Sequence, residues 1–176
     1  MRTKELTTCA ALVAIYVVLK YVSFDVGPVK FTFAPFPILV GAMLFGPFCG
    51  FVIGMLAEGI VQMITYGIGV TTLLWMLPVG LRGLMSGAYA KKHHFELNTL
   101  QIILNVLITG LVVTLLNTAL LYLDGMIFGY PVQYTAIAII MRFVSSVVMT
   151  AMYCLVLPKT LQLIRRAVPL TARQSH

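Results

Sequence analysis

The chain has 176 residues, of which 60% are hydrophobic and 10% charged, whereas soluble domains are about 45–50% apolar and about 25% charged. This composition excludes a disordered chain, a collagen-like repeat and a disulfide scaffold, and it argues against an ordinary cytosolic enzyme. The net charge of +7 favours nucleic-acid binding in a soluble chain, but in a chain with long apolar stretches the basic residues mark membrane topology.

The sequence predicts an all-α integral membrane protein that forms one domain, residues 1–176, with six transmembrane helices. A helix needs about 20 apolar residues to cross the hydrocarbon core of a bilayer, which is roughly 30 Å thick. The predicted spans, in chain order, are Leu6–Val22, Phe33–Phe45, Pro47–Tyr66, Leu73–Ala90, Leu100–Tyr122 and Thr135–Leu157. The second span is short and contains Pro35 and Pro37 near its start, so it is either a tilted short span or a re-entrant segment.

The basic residues predict the orientation of the chain, because loops rich in Lys and Arg are retained in the cytoplasm. With the N-terminus inside, only Lys30 lies in an outer loop, and Lys20 lies close to one. The basic residues of the inner segments are Arg2, Lys4, Lys91, Lys92, Lys159, Arg165, Arg166 and Arg173. Since six is an even number of spans, we expect both termini in the cytoplasm. The outer loops 23–32, 67–72 and 123–134 then either cover a cavity or simply connect helices.

The remaining chemical signals are mostly absences. Cys9, Cys49 and Cys154 each lie in an apolar run, so we expect them to be small buried hydrophobic side chains without a metal or redox role. The sequence contains no G-x-x-x-x-G-K-[ST] motif, no H-E-x-x-H motif and no evident Ser/His/Asp arrangement. We therefore predict no enzymatic activity and no cofactor, and any ATP-driven step must use another protein.

Three ionisable residues are predicted well inside the spans: Glu58, Arg82 and Arg142. Each such side chain costs at least about 2.5–3.5 kcal/mol to insert and is therefore a candidate functional residue. Their positions along the spans allow all three to meet in one cavity open to the outside. One interpretation is an ion pair between Glu58 and Arg82 that tethers two helices. Even then, one carboxylate leaves the set at a net charge of about +1, which favours an anionic ligand.

Other candidate ligand contacts flank these charges, each with a purely structural alternative. The aromatic candidates near the outer ends of the spans are Phe31, Phe36, Tyr66, Trp75 and Tyr122. Interfacial aromatic belts explain such residues without a ligand. The polar candidates are Gln62 and Asn117, which can bind a ligand or another helix. Rows of glycine, Gly46, Gly50 and Gly54 in the third span and Gly80, Gly83 and Gly87 in the fourth, predict close helix packing within the chain.

Several motifs together define a resemblance that covers most of the chain. They are Ala10-x-x-x-Ala14, the stretch from Phe36-Pro37-Ile38 to the turn Leu44-Phe45-Gly46-Pro47, Glu58 after a row of glycines, Leu81-Arg82-Gly83 and Met141-Arg142-Phe143. With six spans in 176 residues, this pattern resembles the substrate-binding S components of energy-coupling factor (ECF) vitamin transporters. More narrowly, it is similar to the folate-type (FolT-like) group.

The resemblance implies a subunit in the plasma membrane of a prokaryote that captures a vitamin from outside. It implies delivery of the vitamin by toppling of the subunit in a complex with a transmembrane T component and two cytosolic ATPases. Ala10 and Ala14 would contact the T component, the fourth to sixth spans and the outer loops would form the pocket, and the first outer loop would act as its gate.

The sequence leaves the substrate open. Folate, with a wide pterin and a glutamate tail, ranks first and pantothenate second, whereas riboflavin and pyridoxine have less need of two arginines. Two other classes of function also remain. In one, the chain is a self-sufficient secondary transporter in which Glu58 couples protons to the substrate. In the other, it is an assembly protein whose buried charges are all used in ion pairs.

Overall fold

A computed structural model describes residues 3–26, 29–69, 71–129 and 132–167. Six helices occur in these residues, in the number predicted. They are α1 (Thr3–Tyr21), α2 (Pro35–Phe45), α3 (Pro47–Tyr66), α4 (Thr72–Lys92), α5 (Thr99–Phe128) and α6 (Val132–Ala167). Three of the described helices, α3, α5 and the Ile139–Ile164 part of α6, are long and apolar enough to cross a membrane.

The first outer loop contains structure that the all-α prediction lacks. Strands β1 (Phe24–Val26) and β2 (Val29–Phe31) pair antiparallel between α1 and α2, with Phe24 opposite Phe31. Valine and phenylalanine favour strands, and two runs of three residues are enough for a short hairpin although they are too short to show a periodic pattern.

Two helices, α5 and α6, are markedly longer than the spans predicted from hydropathy. Helix α5 continues past Tyr122 to Phe128, and α6 begins at Val132 and ends at Ala167. Hydropathy detects only the apolar part of a helix, whereas polar residues such as Asp124 and Lys159 are compatible with helical turns outside the hydrocarbon core. The third outer loop, predicted at 123–134, is therefore largely helical in its described part.

Helices α3 and α4 pack closely along their glycine rows. A Cβ atom at Gly54 would lie 2.6 Å from the carbonyl oxygen of Val79, and one at Gly83 would collide with the carbonyl oxygen of Gly50. These contacts confirm the prediction that the glycines serve packing within the chain, because only hydrogen side chains allow the two backbones to approach so closely.

Helix α2 has only 11 residues, and its residues from Pro37 to Leu44 are buried. It contacts α1, α3, α4 and α6, so its ends are surrounded by protein rather than lipid, as short membrane helices require. Gly46 connects it to α3 with a φ of 97°, a left-handed conformation that favours glycine. Pro47 then occupies the first turn of α3, where proline is tolerated.

A disulfide between Cys9 and Cys49 links α1 to α3, whereas Cys154 is free. Both bonded cysteines are buried, as expected, but their pairing differs from the prediction of three unlinked side chains. A separation of 40 residues carries no signal for pairing, since the contact depends on how α1 packs against α3.

Candidate functional site

A cavity of about 550 Å³ lies among α1, α4, α5, α6 and the start of α2. Its volume is within the range of small-molecule sites, roughly 300–1,000 Å³. The polar lining residues are Tyr16, Lys20, Thr32, Arg82, Thr114, Asn117, Arg142, Ser145, Ser146, Thr150 and Tyr153. The apolar lining residues are Pro35, Val79, Val113, Leu121, Ile137, Met141 and Met149. Polar lining residues thus outnumber apolar ones, and ligand sites combine apolar walls with polar groups that orient the ligand.

Arg142 on α6 is held by uncharged groups from two other helices. Its guanidinium carbon lies 5.0 Å from the ring centre of Trp75, a cation–π contact, and its Nη1 donates a hydrogen bond of 3.3 Å to the carbonyl oxygen of Asn117. Asp124 interacts electrostatically with Arg142, but no ion pair within 4.0 Å joins them. The structure thus brings three predicted residues together and leaves the charge of Arg142 available to a ligand.

Arg82 lies in the wall of the cavity near the hydroxyl groups of Tyr16 and Tyr153. It has no hydrogen bond or ion pair to any residue in the described part of the chain. In particular, the predicted alternative of an ion pair between Arg82 and Glu58 is wrong. An arginine without a counter-ion beside a cavity is an attractive contact for an anion.

Glu58 pairs instead with Lys20 of α1, at 3.1 Å between Nζ and Oε2. It also accepts hydrogen bonds from the hydroxyl of Tyr16 and, at 3.0 Å, from Nε2 of Gln62. The Glu58 side chain is 6% exposed and lies behind the wall, whereas Lys20 and Tyr16 line the cavity. The expectation that Glu58 shares the cavity with both arginines is therefore corrected: Lys20, which the sequence places near the end of the first span, faces α3 and pairs with Glu58.

The other predicted residues lie outside the cavity wall. Phe31 and Phe36 pack against the core formed by α2, α5 and α6, and Gln62 is used by Glu58. Tyr66 and Tyr122 are 79% and 55% exposed, in agreement with the aromatic-belt alternative. None of these five residues lines the cavity, although Tyr66 interacts electrostatically with Arg142.

Sequence reasoning missed most of the α6 wall. Ser145, Ser146, Met149 and Tyr153 all line the cavity and follow Arg142 at the three- and four-residue spacing of one helix face. That spacing is a signal in the sequence, but it is weak without knowledge of which face points inwards.

The hairpin is fixed to both sides of the cavity. The Tyr153 hydroxyl donates a hydrogen bond of 2.7 Å to the carbonyl oxygen of Thr32, the residue after β2. The Thr32 hydroxyl donates one of 3.2 Å to the carbonyl oxygen of Leu19 on α1. The end of the loop between α1 and α2 is thus attached to α1 and α6 beside the cavity. No group of three metal-binding side chains occurs among the described residues.

A helical membrane fold with a polar cavity among its spans defines a small-molecule binding protein of the membrane. The chain matches the family model of the ECF transporter substrate-specific component over residues 4–164. It therefore belongs to this family of substrate-binding transporter subunits, which are integral membrane proteins and not enzymes.

Two solved structures are similar to this chain. One is the S component of a bacterial ECF transporter, with a TM-score of 0.63 and 19% identity, covering 98% of this chain and 100% of that one. The other is FolT bound with folic acid, with a TM-score of 0.56 and 21% identity, covering 85% and 91%. At these identities the likeness establishes a common fold. No curated protein matches the chain.

Proposed function

We propose that this S component captures folate from outside the cell and delivers it for ATP-driven uptake. One observation carries the proposal: two arginines, Arg82 and Arg142, face one cavity without a carboxylate partner in the described chain. Folate bears two carboxylates on its glutamate tail, and a guanidinium matches a carboxylate in charge and geometry. The similarity to the fold of FolT bound with folic acid supports this choice.

The two arginines of the cavity also make the other vitamins less suitable ligands, because these carry fewer carboxylates than folate. Pantothenate carries one carboxylate and leaves one arginine unpaired, and riboflavin and pyridoxine carry none. A buried cation without a partner is costly, so these ligands are poorer complements to the two guanidiniums. The apolar part of the wall, with Val79, Met141 and Met149, can cover the flat pterin.

The proposal extends to orientation and partners. The cavity lies towards the C-terminal end of α1 and the N-terminal part of α6, which are the ends that the distribution of Lys and Arg places outside. Both termini would then be cytoplasmic, in the plasma membrane of a prokaryote. Ala10 and Ala14 are exposed on α1 and form the proposed contact with a transmembrane T component, which two cytosolic ATPases would drive.

The first test is a thermal shift of the purified protein with folate, pantothenate, riboflavin and pyridoxine. We expect folate alone to raise the melting temperature strongly, because a ligand at 100 times its Kd adds about 2.7 kcal/mol of stability. A strong shift with another vitamin instead would overturn the choice of folate. A flat panel with folded protein would contradict the binding of all four of these vitamins, folate included.

The second test addresses energy coupling. We expect liposomes that contain the chain, a T component and both ATPases to take up folate only when ATP is supplied. Uptake by the chain alone, driven by a proton gradient, would instead favour the secondary transporter in which Glu58 carries the proton.

A further inference from the structure

We infer that the ion pair between Lys20 and Glu58 determines how many carboxylates the ligand of this cavity carries. Glu58 would thus be a specificity-determining residue that acts through Lys20 without touching the ligand. The inference rests on the proposed binding of folate. It concerns Lys20 and Glu58, not the two arginines on which that proposal is based.

The described wall of the cavity is positively charged. Three cationic side chains line the described cavity, Lys20, Arg82 and Arg142, and no carboxylate lines it. Glu58 lies directly behind Lys20, with Nζ at 3.1 Å from Oε2 and 3.4 Å from Oε1. It neutralises one of the three cations, so two remain for a ligand.

Glu58 is buried, and three side chains around it stabilise its negative charge. Burial of a carboxylate is costly unless hydrogen bonds and an opposite charge replace water. Tyr16 and Gln62 each donate a hydrogen bond to Glu58, and Lys20 supplies the opposite charge. All the partners come from α1 and from α3 itself, so the pair is complete before any ligand enters.

Asp124 is the other described acidic residue that interacts with a cation of the cavity wall, but it differs from Glu58. Asp124 interacts with Arg142 through space, but it makes no ion pair within 4.0 Å and does not line the cavity. Among the described acidic residues, Glu58 is therefore the one that forms an ion pair with a cation lining the cavity. Loss of the Glu58 charge would release Lys20 as a third cation for the ligand.

A series of three ligands tests this inference by number of carboxylates: pteroic acid has one, folate two and pteroyl-diglutamate three. For the unchanged protein we expect the tightest binding with folate. For Glu58→Gln we expect the affinity for pteroyl-diglutamate, relative to folate, to rise about tenfold, since a contact between charged groups contributes an amount of this order. The measurement is the Kd of each ligand by calorimetry in detergent.

Three further variants distinguish an effect of the ion pair from a general effect on folding or binding. Lys20→Met should move the preference towards pteroic acid, because Glu58 then faces the cavity unneutralised. The double variant Lys20→Met/Glu58→Gln replaces the ion pair by uncharged groups, so it should restore the preference for folate. It leaves no unpaired charge at this position, so it should remain folded even if Glu58→Gln alone does not. Glu96→Gln is the matched control, the same change at an exposed residue between α4 and α5, and should leave all three affinities unchanged.

The outcomes separate the inference from the proposed function. If the unchanged protein does not bind folate, the proposed function fails. If it binds folate but the relative affinities of the three ligands are the same in Glu58→Gln and Lys20→Met, the inference is wrong and the proposed function stands. A merely structural role of Glu58 would weaken all three ligands alike, and the double variant would not restore the preference.

Discussion

At the scale of single residues, Arg142 is a charge held by neutral neighbours. Trp75 and the carbonyl group of Asn117 position Arg142, and neither of them cancels its charge. An arrangement that fixes a guanidinium without neutralising it lowers the cost of ordering that side chain when an anion binds.

Arg142→Ala should therefore weaken folate binding by about 2 kcal/mol or more, as expected when one partner of a buried charge pair is removed. The measurement is the Kd of the purified variant. Tyr122→Ala is the control, because Tyr122 is exposed and does not line the cavity, so this variant should leave the affinity unchanged. An unaltered Kd in folded Arg142→Ala would remove Arg142 from the site.

The residue scale also shows where the sequence was informative. Intramembrane charge alone identified Arg82 and Arg142, because a charge in hydrocarbon is rare without a function. The partner of Glu58 was not predictable, since Arg82 and Lys20 are both cations and only the packing of α1 on α3 chooses between them. The aromatic residues near span ends were the least informative, as a membrane interface selects the same residue types as a pocket does.

At the scale of helices, the contact of α3 with α4 depends on glycine. Gly50, Gly54 and Gly83 bring the two backbones together, and this contact positions Arg82 on α4 relative to Glu58 on α3. The glycine rows made this packing predictable from the sequence, because their four-residue spacing places them on one helix face.

We expect Gly83→Ala to lower the melting temperature clearly, as overpacking costs about 1–3 kcal/mol and the new methyl group would meet the backbone of Gly50. Gly69→Ala is the matched control, since among the described residues a Cβ there would meet only the Thr72 hydroxyl, at 3.9 Å. Equal melting temperatures for the two variants, measured without ligand, would show that α3 and α4 can separate at little cost.

Helix α1 is attached to α3 at two levels, by the Cys9–Cys49 disulfide and by the Lys20–Glu58 ion pair. About three turns of helix separate Cys9 from Lys20, so both residues lie on the same side of α1. The two helices are thus expected to move together, and Ala10 and Ala14 move with the Tyr16 and Lys20 side of the cavity. None of these attachments was visible in the sequence, where the four residues are widely separated.

At the scale of the whole molecule, hydropathy and charge predicted the number of helices and the class of protein. The ends of α5 and α6 and the β1–β2 hairpin were not predictable in the same way, because they lie where the apolar pattern stops. The family match over residues 4–164 spans all six helices, so the membrane domain as a whole is the unit that the family shares.

The proposed partner surface gives a prediction at this scale. Leucine at both Ala10 and Ala14 should prevent assembly with the T component, because larger side chains keep two helices apart, while folate binding by the solitary protein persists. Ala88→Leu/Ala151→Leu makes the same change at exposed alanines of α4 and α6 and should still assemble. Co-purification with the T component and the Kd for folate are the two measurements. Loss of folate binding in the first variant would place its alanines inside the fold.

The length of α2 relates to the depth of the site. Eleven residues rise about 16 Å, about half the thickness of the hydrocarbon core, and Thr32 and Pro35 at the start of this helix line the cavity. The cavity thus lies beside the start of a helix that crosses only part of the hydrocarbon core. Under the proposed function, a relative in which this helix began one turn earlier would have a shallower site, so the starting residue of this short helix would limit the size of the ligand.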